Sequence, residues 1–128
     1  MSTCLLDASA ILALLQGEPG ANTVAEAMRS GAAVVSVNLS EVVAKLCDGG
    51  LSDEEIGQVL GELKLDVVAF DREDARLAGL LRRGTRGSGL SLGDRACLAV
   101  GVRRGLTVLT ADAAWVGVVP GAHVIAIR

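Results

Sequence analysis

Aromatic residues are almost missing from this chain: 128 positions hold no tyrosine, one phenylalanine (Phe70) and one tryptophan (Trp115). Proteins that grip unpaired bases by stacking need several aromatic faces. Such a platform is excluded, and the apolar neighbours of both rings assign them to core or interface. Histidine is as scarce. His123 stands alone, which removes chemistry run by two imidazoles as general acid and base and leaves it as a surface or loop residue. Cys4, Cys47 and Cys97 are odd in number and form no C-x-x-C pair, so neither a zinc site nor a disulfide framework is expected. Long apolar runs are missing too. Hydrophobic residues make up 51% of the chain, but Gly, Ser or charge interrupts them long before the roughly 18 needed to span a bilayer. The opening Met1 to Asp7 lacks the basic region and apolar stretch of a signal peptide. A cytoplasmic protein with free thiols is therefore expected, with no membrane contact.

A basic excess is also lacking. The net charge is −3, which counts against a partner as negative as nucleic acid. The charge is segregated, however: Arg82, Arg83 and Arg86 cluster in one segment and Arg103 and Arg104 in another. Such clusters serve equally well as solvated helix ends, where cations favour the helix dipole.

What is present is an alternation of short apolar runs and amphipathic segments. Thr3 to Leu6 reads as a strand ending at Asp7, followed by helices over Ala8 to Leu15 and Ala21 to Arg29 and a buried strand over Ala32 to Val35. Leu39, Val42, Val43 and Leu46 mark one helical face, and Ser52 opens another helix with Ile56, Val59, Leu60 and Leu63 inward. Val67 to Phe70 reads as a third buried strand, and Asp71 starts a helix through Leu77, Leu80 and Leu81. Gly84 to Gly89 reads as a flexible loop. Ser91 to Val102 is the next helix, Thr107 to Leu109 a fourth strand, Ala113 to Val116 a helical turn and Val124 to Ile127 a fifth strand. No repeat or linker divides the chain, so one α/β domain over residues 1–128 is expected, with a mostly parallel sheet covered on both faces.

In such sheets ligands gather beyond the carboxyl ends of the strands, and the residues placed there are acidic. Each acid has an ordinary explanation. Asp7 is a preferred N-cap. Glu41 follows Asn38 by three residues, approximating a capping box, and Lys45 is spaced to pair with it. Asp94 follows Ser91 by three, and Asp112 follows Thr110 by two. Asp71 and Asp74 also follow a strand. Gathered at one sheet edge, several carboxylates raise one another's pKa unless a cation lies between them, and hard oxygen donors suit Mg²⁺ or Mn²⁺. Spacing alone does not choose between caps and ligands.

Leu5-Leu6-Asp7-Ala8-Ser9-Ala10, Ser40-Glu41-Val42, Leu90-Ser91-Leu92-Gly93-Asp94-Arg95 and Leu109-Thr110-Ala111-Asp112, in this order, resemble the signature of the PIN-domain family, in particular toxins of the VapC type. The resemblance covers nearly the whole chain. It implies a PIN-like α/β/α sandwich whose five parallel strands run in the order 3-2-1-4-5, with strand one central and Asp71 away from the site. It also implies that Asp7, Glu41, Asp94 and Asp112 form a catalytic acidic quartet binding Mg²⁺ or Mn²⁺, the last often through water, supported by the hydroxyls of Ser9 and Thr110. The activity implied is hydrolysis of RNA phosphodiesters to 5′-phosphate and 3′-hydroxyl ends, with Arg82, Arg83, Arg86 and Arg95 as candidate RNA contacts. The partners implied are a second copy of the chain and a VapB-like, DNA-binding antitoxin that places an arginine in the acidic cleft. The apolar faces over 39–46 and 56–63 are candidate contacts. Two other readings stand beside this one: a catalytically silent PIN-like binding protein, and a receiver-type phosphoacceptor module. The second fits poorly, because Asp7 stands alone after its strand and no lysine follows Lys64.

Overall fold

The computed structural model describes residues 2–128. The elements in chain order are β1 (Cys4–Leu6), α1 (Ala8–Gln16), α2 (Ala21–Ser30), β2 (Ala32–Val35), α3 (Ser36–Asp48), α4 (Asp53–Leu63), β3 (Asp66–Val68), α5 (Arg72–Leu80), α6 (Arg82–Thr85), α7 (Leu92–Arg104), β4 (Thr107–Thr110) and β5 (Val124–Ala126). Single 3₁₀ turns lie at Arg86–Ser88 and Ala113–Trp115. The five strands are all parallel and run in the order β3-β2-β1-β4-β5. β1 pairs with β2 and β4, whereas receiver modules set β3 beside β1 in the order 2-1-3-4-5, so that alternative is closed by topology.

The period of two along each strand sorts the core into two layers. Cys4 and Leu6 of β1 and Ala32 and Val34 of β2 pack with Ile11, Ala13, Val24 and Val42 on one face. Leu5, Ala33, Val35 and Val108 point the other way, onto Cys97, Leu98 and Val100 of α7 and onto Trp115. Leu5, Leu6, Ile11 and Leu98 are fully buried, each contributing roughly 1.5–3 kcal/mol through removal of apolar surface from water. α7 can lie against β4 because Gly101 leaves room: a Cβ there would stand 2.8 Å from the Val108 side chain. No helix among the described residues is long and apolar enough to cross a membrane.

Three local expectations need correction. The stretch from Gly84 to Gly89 is not an open loop. α6 and the 3₁₀ turn carry it, and Thr85 is buried with its hydroxyl donating to the Leu81 carbonyl at 2.8 Å. The third strand is set earlier, at Asp66–Val68, and lies at the sheet edge with Val67 53% exposed. Phe70 falls outside it, partly buried against the α7 layer. Finally, α3 begins at Ser36 with Val35 as its cap residue, so Asn38 sits inside the helix and forms no capping box with Glu41.

Candidate active site

Parallel pairing places the carboxyl ends of β1, β2 and β4 at one edge of the sheet, and each end leads straight into a polar turn or helix. Asp7 directly follows β1 and caps α1, where Oδ1 accepts from the Ala10 amide at 2.8 Å. Thr110, the last residue of β4, donates its hydroxyl to Asp7 Oδ2 at 2.6 Å, and the Ser9 hydroxyl lies 2.7 and 2.9 Å from the two carboxylate oxygens. Ser9 Oγ and Thr110 Oγ1 in turn accept from the Ala111 and Asp112 amides. Asp94 forms a reciprocal capping box with Ser91 at the start of α7, and Asp112 caps the 3₁₀ turn by accepting from Ala114. The capping roles foreseen for Asp7, Asp94 and Asp112 are therefore real.

The same acids share one cleft. A cavity of about 400 Å³ is lined by Asp7, Ser9, Glu41, Asp94 and Asp112, together with Asn38, Lys45, Asp48 and Trp115. Burial pushes the Asp7 carboxyl above its ordinary pKa against three hydrogen bonds that favour its charge, and the negative charge of Asp94 pushes it further. Asp94 is raised as well, first by burial and then by Asp112. Cys97, buried on α7, is pushed well up by burial, and the charges of Asp7, Asp94 and Glu41 all add to that shift. Those three carboxylates thus crowd one point of the fold from three different elements.

They crowd it without closing on a common centre. Among the described residues, no three His, Cys, Asp or Glu side chains stand close enough together to hold an ion. The donor set fits a hard divalent cation: all four acids offer carboxylate oxygens, two of them in surroundings that penalise their unneutralised charge. The only polar side-chain atoms buried without a partner among the described residues are Asn38 Oδ1, in the cleft, and Arg95 Nε.

The arginines do not join the acids. Arg82, Arg83 and Arg86 are exposed on α6 and the following turn, away from the cleft lining. Arg95 is half-buried, with Nη1 donating to the Ala78 carbonyl of α5 at 2.9 Å, so it ties α7 to α5. Lys45 makes no ion pair with Glu41; it lines the cleft as its single cation among the described residues. Sequence reading passed over the stripe that α3 contributes. Asn38, Glu41, Lys45 and Asp48 recur at intervals of three, four and three, which is one face of a helix, and all four line the cleft.

Known proteins agree with this architecture. Residues 4–118 match the family model described as PIN domain, while no curated protein matches the chain. Among solved structures, a toxin-antitoxin complex from Klebsiella pneumoniae superposes with a TM-score of 0.73 at 18% identity, covering 98% of each chain. DNA-bound VapBC from Salmonella typhimurium gives 0.72 at 18% identity over 100% of each. VapBC-5 from Mycobacterium tuberculosis gives 0.62 at 23% identity, covering 100% of this chain and 99% of that one. At these identities the likeness is one of fold. With strand order, layering and a family model spanning nearly all of its length in agreement, the chain belongs to the PIN domain family.

Proposed function

We propose that this chain, one domain over residues 1–128, is a divalent-metal-dependent endoribonuclease, the toxin of a toxin-antitoxin pair. The observation that carries the reading is the cleft itself, where Asp7, Glu41, Asp94 and Asp112 meet from β1, α3, α7 and the end of β4. In this reading Asp7, Glu41 and Asp94 hold Mg²⁺ or Mn²⁺ and Asp112 supports it from the rim. Bound there, such an ion supplies Lewis acidity to a phosphate and makes water nucleophilic near neutral pH. The chain's own residues do the rest. Ser9 and Thr110 fix the orientation of Asp7 through their hydroxyls. Lys45 offers a cation to the incoming phosphate. Trp115, 3% exposed, gives the cleft an apolar wall. Products with 5′-phosphate and 3′-hydroxyl ends follow where water attacks the phosphorus in line with the 3′ oxygen and that oxygen leaves, with no use of the ribose 2′-hydroxyl, in keeping with the lack of a histidine pair.

The neighbours named as toxin-antitoxin complexes and as DNA-bound VapBC support a matching set of partners: a cognate, DNA-binding antitoxin and a second copy of this chain, in the cytoplasm. The test is cleavage of RNA by purified chain free of any partner. Activity with Mn²⁺ or Mg²⁺, its loss in EDTA, and its loss in Asp94→Asn are expected. Metal-independent cleavage, or an Asp94→Asn variant as active as the parent, would overturn the enzymatic reading and leave a silent PIN-like binding protein in its place.

A further inference from the structure

Apart from the four acids, the most deeply buried polar side chain of the cleft lining is Asn38. It is the third residue of α3, 1% exposed, and it lines the cavity. Nδ2 donates to Glu41 Oε1 at 2.8 Å and to the Gly93 carbonyl of α7 at 3.0 Å. Both partners are acceptors, so only the amine end of the amide can face them. Oδ1 is left buried with no donor. An unpaired buried carbonyl oxygen weakens a fold, and an apolar side chain of the same size would fill the space without that defect, so stability is a poor reason for an amide here. Gly93 completes the arrangement. A Cβ at that position would stand 2.5 Å from both Glu41 carboxylate oxygens, so the carboxylate rests on bare backbone one residue before Asp94. Asn38 thus joins an acid on α3 to the helical turn that carries the next acid.

We propose that Asn38 is a positioning residue which, with the bare backbone at Gly93, fixes the Glu41 carboxylate relative to Asp94 and so sets how tightly the cleft takes a divalent cation. This rests on the metal-site reading above. Groups that hold a ligand from behind typically govern metal affinity by about 10- to 100-fold.

The experiment is a calorimetric Mn²⁺ titration of the purified chain without RNA, with Tm recorded alongside. Asn38→Leu keeps the branching at Cγ and removes the amide donors; it is expected to bind Mn²⁺ about 10- to 100-fold more weakly while still unfolding cooperatively, so that the loss of affinity is read on a folded chain. Gly93→Ala disturbs only the end of a flexible side chain, so it carries the test should the leucine variant not fold, and it is expected to weaken Mn²⁺ binding in the same range. Parental Mn²⁺ affinity in either folded variant overturns the proposal. Asp7→Asn serves as the reference. Should it also bind like the parent, the metal site itself is wrong; should it alone lose binding, only the role of Asn38 falls.

Discussion

Two helix starts in this protein carry the same device and meet opposite fates. At the start of α5, Asp71 and Asp74 form a capping box, and Asp74 is wholly buried. At the start of α7, Ser91 and Asp94 form another. The first is answered from within: Arg103, near the end of α7, donates to both Asp71 and Asp74. Hydrogen bonding from the Asp74 amide, with Arg103 beside it, holds the Asp71 carboxyl below its ordinary range. The second has no such answer. Asp94 faces Asp7, Asp112 and Glu41 across the cleft, and burial and like charge push Asp7 and Asp94 upward. The difference teaches what an internal cation does: Arg103 answers the box at α5 with two ion pairs, while the box at α7 faces other carboxylates across the cleft and has none among the described residues.

The sharpest way to break this contrast is to neutralise one acid on each side. Asp7→Asn or Asp94→Asn should lower Mn²⁺-dependent RNA cleavage by about two orders of magnitude or more, as loss of a direct ligand exceeds the effect of an outer one, with the circular dichroism spectrum unchanged. Asp74→Ala should do the reverse, leaving Mn²⁺ affinity at the parental value while lowering unfolding free energy by about 2 kcal/mol, the size of a lost hydrogen bond to a charged group, as Arg103 stays exposed and paired with Asp71; urea denaturation would measure it.

The pH dependence of stability should separate the two sites next. The raised carboxyls of Asp7 and Asp94 bind protons more tightly folded than unfolded, so their contribution is complete below the unfolded pKa and is lost as pH rises through the folded one. Asp71 has the opposite sign, its contribution being present above the unfolded pKa and lost as pH falls through the folded one. In EDTA, Asp7→Asn should therefore gain Tm over the parent at neutral pH, and the gain should vanish on acidification below the ordinary carboxylate range. A variant no more stable than the parent at pH 7 would show that the charge is already neutralised. The smallest effect belongs to Lys45. Lys45→Ala should reduce the slope of log K for RNA binding against log salt by about one, the amount for one phosphate contact, and an unchanged slope would remove Lys45 from the interface.

Most of the architecture could be read from periodicity, because β1, β2, β4 and β5 are apolar runs and α1, α4, α5 and α7 start on side-chain caps. The sheet order 3-2-1-4-5 and the convergence of the acids were not in the periodicity. They came with the resemblance, since strands distant along the chain announce nothing about which will pair. Where local reading failed, the cause was local as well. Gly84 to Gly89 is rich in glycine, yet the buried Thr85 and its bond to the Leu81 carbonyl hold it in helical turns. Asn38 and Glu41 have the spacing of a capping box, but α3 starts two residues earlier and turns that spacing into neighbours on one helical face. Arg95 sits beside an acid of the cleft in sequence, but one residue along a helix turns the side chain by about 100°, and it faces α5.

The bond from Thr110 to Asp7 joins residues 103 positions apart, and Ser9 reaches the Ala111 amide over 102. An acid translated near the start therefore has only its local bonds to Ser9 and Ala10 until β4 has been made and threaded beside β1. A ribosome-bound or prematurely ended fragment would carry Asp7, Glu41 and even Asp94 while lacking the strand that orients the first of them. The aim of the acid nearest the N-terminus is thus completed by a strand near the other end of the chain, so the cleft is a product of the whole fold and of no shorter piece of it.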